Sequence, residues 1–343
     1  MRPVLTPSVR RLWRDRETLQ LGRGSRATVL AGVDPGTRAA LAMLDGTRDR
    51  TQLLAAAGKV GCPPDRTEAL LGLLEEAGLL EDASADRSAL QPLAPAERER
   101  LTADLGSLAL VRGDSGLAAA RHRRGARVLV LGGGRVGAPL AAMLAAAGVG
   151  AVDVLDDGTT RPQDAGIGGL DLDDVGRSRG EAARERLRRA APSTAPEPAG
   201  RPHLVVLAPG RPDQLEAQLE IVPDGVPHLL AEVRDTVGVV GPLVLPGRTT
   251  CLRCTELTRT DLDPDWPALA AQLATSTRHR DACDGPLAVM VAAQAALQVL
   301  LLVDGTADPA SIGGSLELAL PDWRWRRRSW PLHPACGCAR VAG

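Results

Sequence analysis

Four of the six cysteines fall in two short pairs, Cys251-Leu252-Arg253-Cys254 and Cys336-Gly337-Cys338. Two thiolate pairs brought together by a fold supply the ligand set of a tetrahedral structural zinc. Because 82 positions separate Cys254 from Cys336, the metal would tie a mid-domain loop to the C-terminal segment rather than build a knuckle. A redox pair or unrelated free thiols are the alternatives. Cys62 and Cys283 stand alone and read as buried small hydrophobes. Asp281 and Asp284 flank Cys283 and oppose the thiolate that a nucleophile there would need. His333 reads as a surface histidine, with substitute ligand as the alternative.

A second constellation is Gly132, Gly134 and Gly137, in G-x-G-x-x-G spacing after the apolar run Arg127–Leu131. Such a turn brings backbone close to a phosphate and aims a helix N-terminus at it, while an acid ending the next strand holds a ribose hydroxyl. Asp156 stands 19 residues after Gly137, where that acid belongs. A Rossmann-like scaffold without nucleotide function fits the same residues. No nucleophile elbow, H-E-x-x-H or kinase set is read, and the five histidines (122, 203, 228, 279, 333) are scattered.

The elements that must position these residues belong to an α/β chain. Its 343 residues, 44% apolar and with net charge −1, suit a soluble protein of two domains. Tyr, Phe and Asn are absent and Lys59 is the only lysine. This composition excludes an N-glycosylation acceptor, a kinase-type metal-binding Asn and a P-loop. Near-neutrality argues against broad electrostatic binding to nucleic acid. Leu287–Val303 is the longest apolar run, read as a buried helix because it contains two Gln and many Ala. The N-terminus lacks the apolar core of a secretory signal, and paired cysteines suit a reducing compartment, so a cytoplasmic protein is expected.

Two domains joined by a connector are read. Residues 1–83 begin with three short strands around Leu12–Leu21 and Ala27–Val33. Three helices follow: Gly36–Leu44 behind Asp34-Pro35, one capped by Thr47 and running to Ala57, and Pro64–Ala77 with Ala69, Leu70, Leu73 and Leu74 on one face. With the trailing Gly78-Leu79-Leu80, this order suggests a winged-helix unit. Residues 84–125 form a helical connector that ends in His122-Arg123-Arg124, read as a solvated turn. Residues 126–343 alternate strands (Arg127–Leu131, Ala151–Leu155, Leu204–Leu207, Val237–Leu245) with helices (Ala138–Ala147, Glu181–Ala190, Gln214–Glu220). A mostly parallel sheet covered on both faces is expected.

Together, the glycine turn, the acid and the split cysteine pairs resemble the E1-like, ThiF/MoeB-type adenylyltransferase fold over about residues 97–343. The front unit, with Trp13-Arg14, Leu44-Asp45-Gly46-Thr47 and the Leu73–Leu80 ending, is similar to the PqqD-like RiPP recognition element. The combination, closing in His333-Pro334-Ala335-Cys336-Gly337-Cys338, resembles the ThiF-like leader-peptide-binding partners of YcaO cyclodehydratases, which make thiazole/oxazole-modified peptides (TOMMs). The resemblance implies Gly132, Gly134, Gly137, Asp156 and Arg179 as a vestigial nucleotide site, with Arg179 replacing the family's lysine. It implies Cys251, Cys254, Cys336 and Cys338 as zinc ligands, and a homodimer. It implies a leader peptide adding to the third strand against the third helix, beside Arg26, Val29, Arg66 and Leu70.

Active members carry an S-N-L-N-R-Q-like segment; here it is Gln163-Asp164-Ala165-Gly166-Ile167-Gly168, with Ile167 at the arginine position. Asp213 is the nearest candidate for the family's magnesium-associated acid. No catalytic residue is therefore assigned, and the expectation is a degenerate partner subunit. The alternative is an ATP- and magnesium-dependent adenylyltransferase acting on a C-terminal carboxylate. A winged-helix regulator with an NAD-sensing domain is weakened because Arg66 is the only cation in Pro64–Ala77.

Overall fold

Short extended segments punctuated by glycine make up the front of the chain: β1 (Pro3–Leu5), β2 (Arg11–Trp13), β3 (Leu19–Leu21) and β4 (Thr28–Leu30). Strands β2, β3 and β4 form an antiparallel sheet in that order, so β4 keeps one edge unpaired by the other named strands. The computed structural model describes residues 1–195, 200–210, 214–275 and 282–340, and the chain divides into two units, Met1–Arg121 and His122–Gly343.

Helix α1 (Pro35–Ala42) starts as its residue types require: Pro35 opens it and Asp34 accepts from the Thr37 N–H at 2.7 Å. Helix α2 (Arg50–Lys59) is capped by Asp49, in a reciprocal box with Gln52, and not by Thr47. Thr47 donates instead to Asp45, backbone N–H at 2.9 Å and hydroxyl at 2.5 Å. Helix α3 (Pro64–Glu76) buries Thr67, Leu70, Leu71 and Leu74, while Leu73 is 54% exposed. Strand β5 (Leu80–Asp82) pairs antiparallel with β1. Leu5, Leu19, Leu21, Leu41, Leu53, Leu71 and Leu74 form this unit's core, each such side chain stabilising by about 1.5–3 kcal/mol when fully buried. Helix α4 (Pro95–Arg112) belongs to the same unit: a Cβ on Gly106 would meet Ser8 Oγ at 2.1 Å.

Helix α5 (Leu117–Gly125) leads to β6 (Arg127–Leu131), α6 (Gly137–Ala146), β7 (Ala151–Leu155), α7 (Arg179–Ala190), β8 (Leu204–Leu207) and α8 (Gln214–Ile221). Then come β9 (His228–Arg234), β10 (Val237–Val244), α9 (Leu252–Leu262), α10 (Trp266–Thr275), α11 (Gly285–Asp304), β11 (Gly314–Ala319) and β12 (Arg324–Ser329). One sheet runs β12-β11-β10-β9-β8-β6-β7. Pairs from β7 to β9 are parallel, whereas β9 to β12 are antiparallel. The sheet is therefore mixed rather than mostly parallel.

Val128, Val130, Leu204, Val206, Leu229 and Ala231 face a core shared with α6, α7 and α11. Leu131, Val205, Leu207 and Leu230 face the opposite side, where Leu215 and Leu219 of α8 pack. Burial on both faces explains why these strands read as continuous apolar runs. Helix α11 is long and apolar enough to cross a membrane, yet Leu287, Val291, Ala295 and Val299 are buried and it packs on β9, β10 and α6. Arg123 is not a solvated turn residue: it is buried and forks onto Asp304 at 2.8 and 2.6 Å.

Candidate functional site

Parallel register brings the chemistry together. Leu131 lies beside Leu155 and Leu207, so the glycine turn, Asp156 and Ala208 all emerge at the carboxyl ends of adjacent strands, where open α/β sheets bind ligands. They line a cavity of about 880 Å³ together with Gly134, Arg135, Asp164 and Arg179.

The three glycines differ in why they are glycine. Gly132 has φ +104°, and a Cβ there would meet the Ala208 carbonyl oxygen at 2.1 Å. A Cβ on Gly137 would lie 1.8 Å from the Gly132 oxygen. Both are demanded by packing. A Cβ on Gly134 would meet nothing within 4 Å.

Asp156 ends β7 with its carboxylate inside the fold. Oδ2 accepts from the Gly133 N–H at 2.7 Å and from Arg179 Nε at 2.8 Å; Oδ1 accepts from the Gly158 N–H at 2.8 Å and from Arg179 Nη2 at 2.9 Å. These four donors match the roughly four lone-pair sites of a carboxylate. Arg179 extends its remaining prong, Nη1, to Asp164 at 3.1 Å. Burial alone would raise the pKa of Asp156, but the fork and the two backbone donors outweigh it and hold the group below the usual carboxylate range. Burial likewise opposes charge on Arg179, and the two carboxylates overcome it and raise its pKa. The acid and the cation assigned to one nucleotide are therefore paired with each other.

Ile167, which the resemblance set at an arginine position, is 82% exposed. Asp213 lies outside the described residues. Cys283 is only partly buried: it packs against the main core and also lines the cavity, and its carbonyl accepts from Arg135 Nη1 at 2.5 Å. One G-x-S-x-G spacing is present after all, Gly176-Arg177-Ser178-Arg179-Gly180. Its Ser178 caps α7, accepting from the Glu181 N–H at 3.4 Å, and no named strand leads into it, so it is not a nucleophile elbow.

The four sulfurs of Cys251, Cys254, Cys336 and Cys338 lie within 4.8 Å of one another. Individual separations are 3.8 Å (Cys251–Cys254), 3.6 Å (Cys251–Cys336) and 3.4 Å (Cys254–Cys338). A tetrahedral zinc with sulfurs at about 2.3 Å requires sulfur separations of about 3.8 Å. The donor set fits. Cys251 is the N-cap of α9, and burial pushes its thiol up despite the helix start. Burial raises Cys254, but N–H donation from His333 and Cys251 and the neighbouring thiols bring it to about 7. His333 is neither surface residue nor ligand. Its side chain is 10% exposed and its Nε2 lies 2.8 Å from Asp261 Oδ2, while its backbone N–H donates to Cys254 Sγ at 3.4 Å.

In the first unit, Val29 is exposed on β4. Arg66 of α3 donates to Asp34 Oδ2 at 2.6 Å and to the Gly32 carbonyl at 3.1 Å, which fixes α3 beside the chain leaving β4. Arg26 reaches the Val111 carbonyl at 3.5 Å. Leu70, at 6% exposure, lies in the core, so the exposed apolar residue of this helix is Leu73. Leu70 sits on the side of the helix that carries the buried Thr67, Leu71 and Leu74, while Leu73, seven residues after Arg66, lies along the exposed face of that arginine.

Residues 107–199 match the ThiF family profile. No curated protein matches the chain by sequence. Among solved structures, the chain is similar to the microcin C7 biosynthetic enzyme MccB in complex with N-formylated MccA, with 16% identity, coverage of 99% of this chain and 100% of that one, and a TM-score of 0.73. E. coli MccB with ATP gives 16% identity, coverage of 98% and 99%, and 0.73. PaaA gives 19% identity, coverage of 94% and 98%, and 0.69. Residues 107–199 thus match the ThiF family within an α/β fold that is shared with MccB.

Proposed function

We propose that this protein binds the leader of a ribosomal precursor peptide and presents it to a YcaO-type cyclodehydratase for azoline, thiazole or oxazole formation. The observation that carries the peptide-binding half is the free edge of β4 with α3 fixed beside it by Arg66. An extended peptide adds to such an edge through backbone hydrogen bonds, while side chains along the edge and the helix choose among sequences. Val29 and Leu73 offer apolar contacts there. The strand and helix order of residues 1–83 suits a winged-helix recognition element. Likeness to MccB solved with MccA, a chain of almost the same coverage, supports peptide handling.

In this reading the E1-like half is a scaffold, held by the cysteine centre with zinc, in a cytoplasmic homodimer. Zinc there would fix the start of α9 to the C-terminal segment and supply no reaction chemistry. Saturation of Asp156 by Arg179, Gly133 and Gly158 supports the loss of adenylation. The test uses the full chain. A fluorescent leader peptide from a neighbouring gene binds at micromolar concentration, and a YcaO protein co-purifies from the native host. Absence of both ends the proposal.

A second reading, ATP-dependent adenylation of a peptide carboxylate, is favoured by the likeness to E. coli MccB solved with ATP. ATP–pyrophosphate exchange with magnesium separates the two: exchange in the presence of peptide supports adenylation.

A further inference from the structure

We infer that the outer edge of β12 receives an extended, acidic peptide segment that carries a carboxylate at every second position. β12 belongs to the second unit, whereas β4, the edge proposed for the leader, belongs to the first.

β12 ends the seven-stranded sheet, and among the described residues β11 is the one strand paired with it. The ladder shows which backbone groups are free. Trp330 N–H donates to the Gly313 carbonyl at 2.9 Å, and a Cβ on Gly314 would meet the Arg328 carbonyl oxygen at 2.6 Å. The even-numbered residues of β12 therefore bond inward to β11. By antiparallel alternation, the N–H and C=O groups of Trp325, Arg327 and Ser329 face the open side. An added strand takes up those groups.

Charge selects the occupant. Residues 322–329 hold four arginines and a single carboxylate, Asp322. Arg324 has no ion pair among the described residues. Arg327 places its guanidinium on neutral acceptors, the Ala310 and Ile312 carbonyls at 2.8 and 3.0 Å and Ser329 Oγ at 2.7 Å. Arg326 and Arg328 meet Asp322 and Glu317, yet their side chains remain 59% and 54% exposed, and such exposed pairs are weak. Arg324, Arg326 and Arg328 share one face of the strand, opposite that of Trp325, which packs against the core. An added strand sets alternate side chains beside these three arginines, where opposite charges attract and like charges repel.

Other occupants fit less well. A second copy of β12 would oppose arginine to arginine. Arginines along an edge guard it against other sheets, but that guard fails against a strand of opposite charge. Single-stranded nucleic acid needs exposed aromatic faces for stacking. Trp330 is instead 5% exposed, with its Nε1 donating to Ser315 Oγ at 3.0 Å, and Trp325 is half-buried.

Fluorescence anisotropy of the full chain at low ionic strength tests the inference with a labelled octapeptide, Ser-Glu-Val-Glu-Thr-Glu-Val-Ser. Saturable binding below millimolar concentration is expected. A peptide of the same composition with its glutamates adjacent should bind about fivefold more weakly or worse, and Arg324→Ser combined with Arg326→Ser should weaken the alternating peptide as much, as loss of two cross-strand pairs does. N-methylation of the central threonine keeps every charge and removes a backbone donor, so it too should cost about fivefold or more. If the double variant misfolds, the N-methylated peptide on the wild-type chain decides. No saturable binding at millimolar concentration, equal binding of the two glutamate spacings, unchanged affinity in the folded double variant or after N-methylation, or tighter binding of an oligothymidylate of equal charge each overturns the inference.

Discussion

Arg179 and Asp156 meet through two parallel hydrogen bonds, Nε to Oδ2 at 2.8 Å and Nη2 to Oδ1 at 2.9 Å, with both side chains almost fully buried. Arginine, unlike lysine, presents a planar fork that matches a carboxylate edge to edge. The guanidinium of Arg179 is thus committed to carboxylates inside the fold.

Removing that partner should be expensive. Arg179→Met leaves Asp156 and Asp164 buried and unpaired, a loss of about 3–5 kcal/mol, read as a lower urea midpoint. Arg179→Lys should fall between, since it keeps charge and loses the fork. A methionine variant as stable as the wild type would refute the structural role of the pair.

Acid should weaken the same region. The folded-state pKa of Asp156 is depressed, so its stabilisation is fully present above the ordinary aspartate value of about 3.9 and is lost as pH falls through the depressed folded value. Melting temperatures followed from neutral pH to about pH 3 should fall more steeply for the wild type than for Asp156→Asn. Parallel slopes would show that another group governs the acid limb.

The glycine turn should split by position. Gly132→Ala must place a Cβ against the Ala208 carbonyl from a φ of +104°, and circular dichroism should show a large loss of thermal stability. Gly134→Ala should melt as the wild type does. Equal behaviour of the two would contradict the packing described for this turn.

Metal analysis of protein purified without chelator should find one zinc per chain. Cys254→Ser and Cys336→Ser should each lower both zinc content and melting temperature, because three thiolates bind zinc less tightly than four. Wild-type protein that is folded, free of metal and indifferent to added zinc would remove zinc from the account.

On the peptide side, Leu73→Asp and Val29→Asp should weaken leader binding about tenfold each with the fold retained, as loss of anchoring contacts does. Leu70→Ala should instead destabilise the first unit by about 2–5 kcal/mol, as cavity-forming core substitutions do. Fluorescence anisotropy and thermal melts on the same samples distinguish these outcomes.

Local signals were legible in the residues themselves. Asp34-Pro35 begins α1, Arg127–Leu131 and Ala151–Leu155 are strands over those residues, and the Gly132–Gly137 turn follows the first of them. Apolar runs, proline, glycine and capping residues act over a few neighbours, so one chain segment contains the whole instruction. Strand β12 was not legible, because Arg324–Ser329 is a largely exposed edge strand without the apolar pattern that marks a buried one. Nor was Thr47's loss of the cap to Asp49, where two adjacent candidates compete within three residues.

What the sequence by itself determined was which residue types were available: four paired cysteines, a glycine turn, an acid after the second strand, and no asparagine or nucleotide-domain lysine. What only the tertiary structure decided was their partners. Asp156 and Arg179 are 23 positions apart, and Cys254 and Cys338 are 84 apart; a charge or a thiol takes its chemistry from whatever lies within a few ångströms. For Asp156 that neighbour is a guanidinium, and its acceptor sites are already filled.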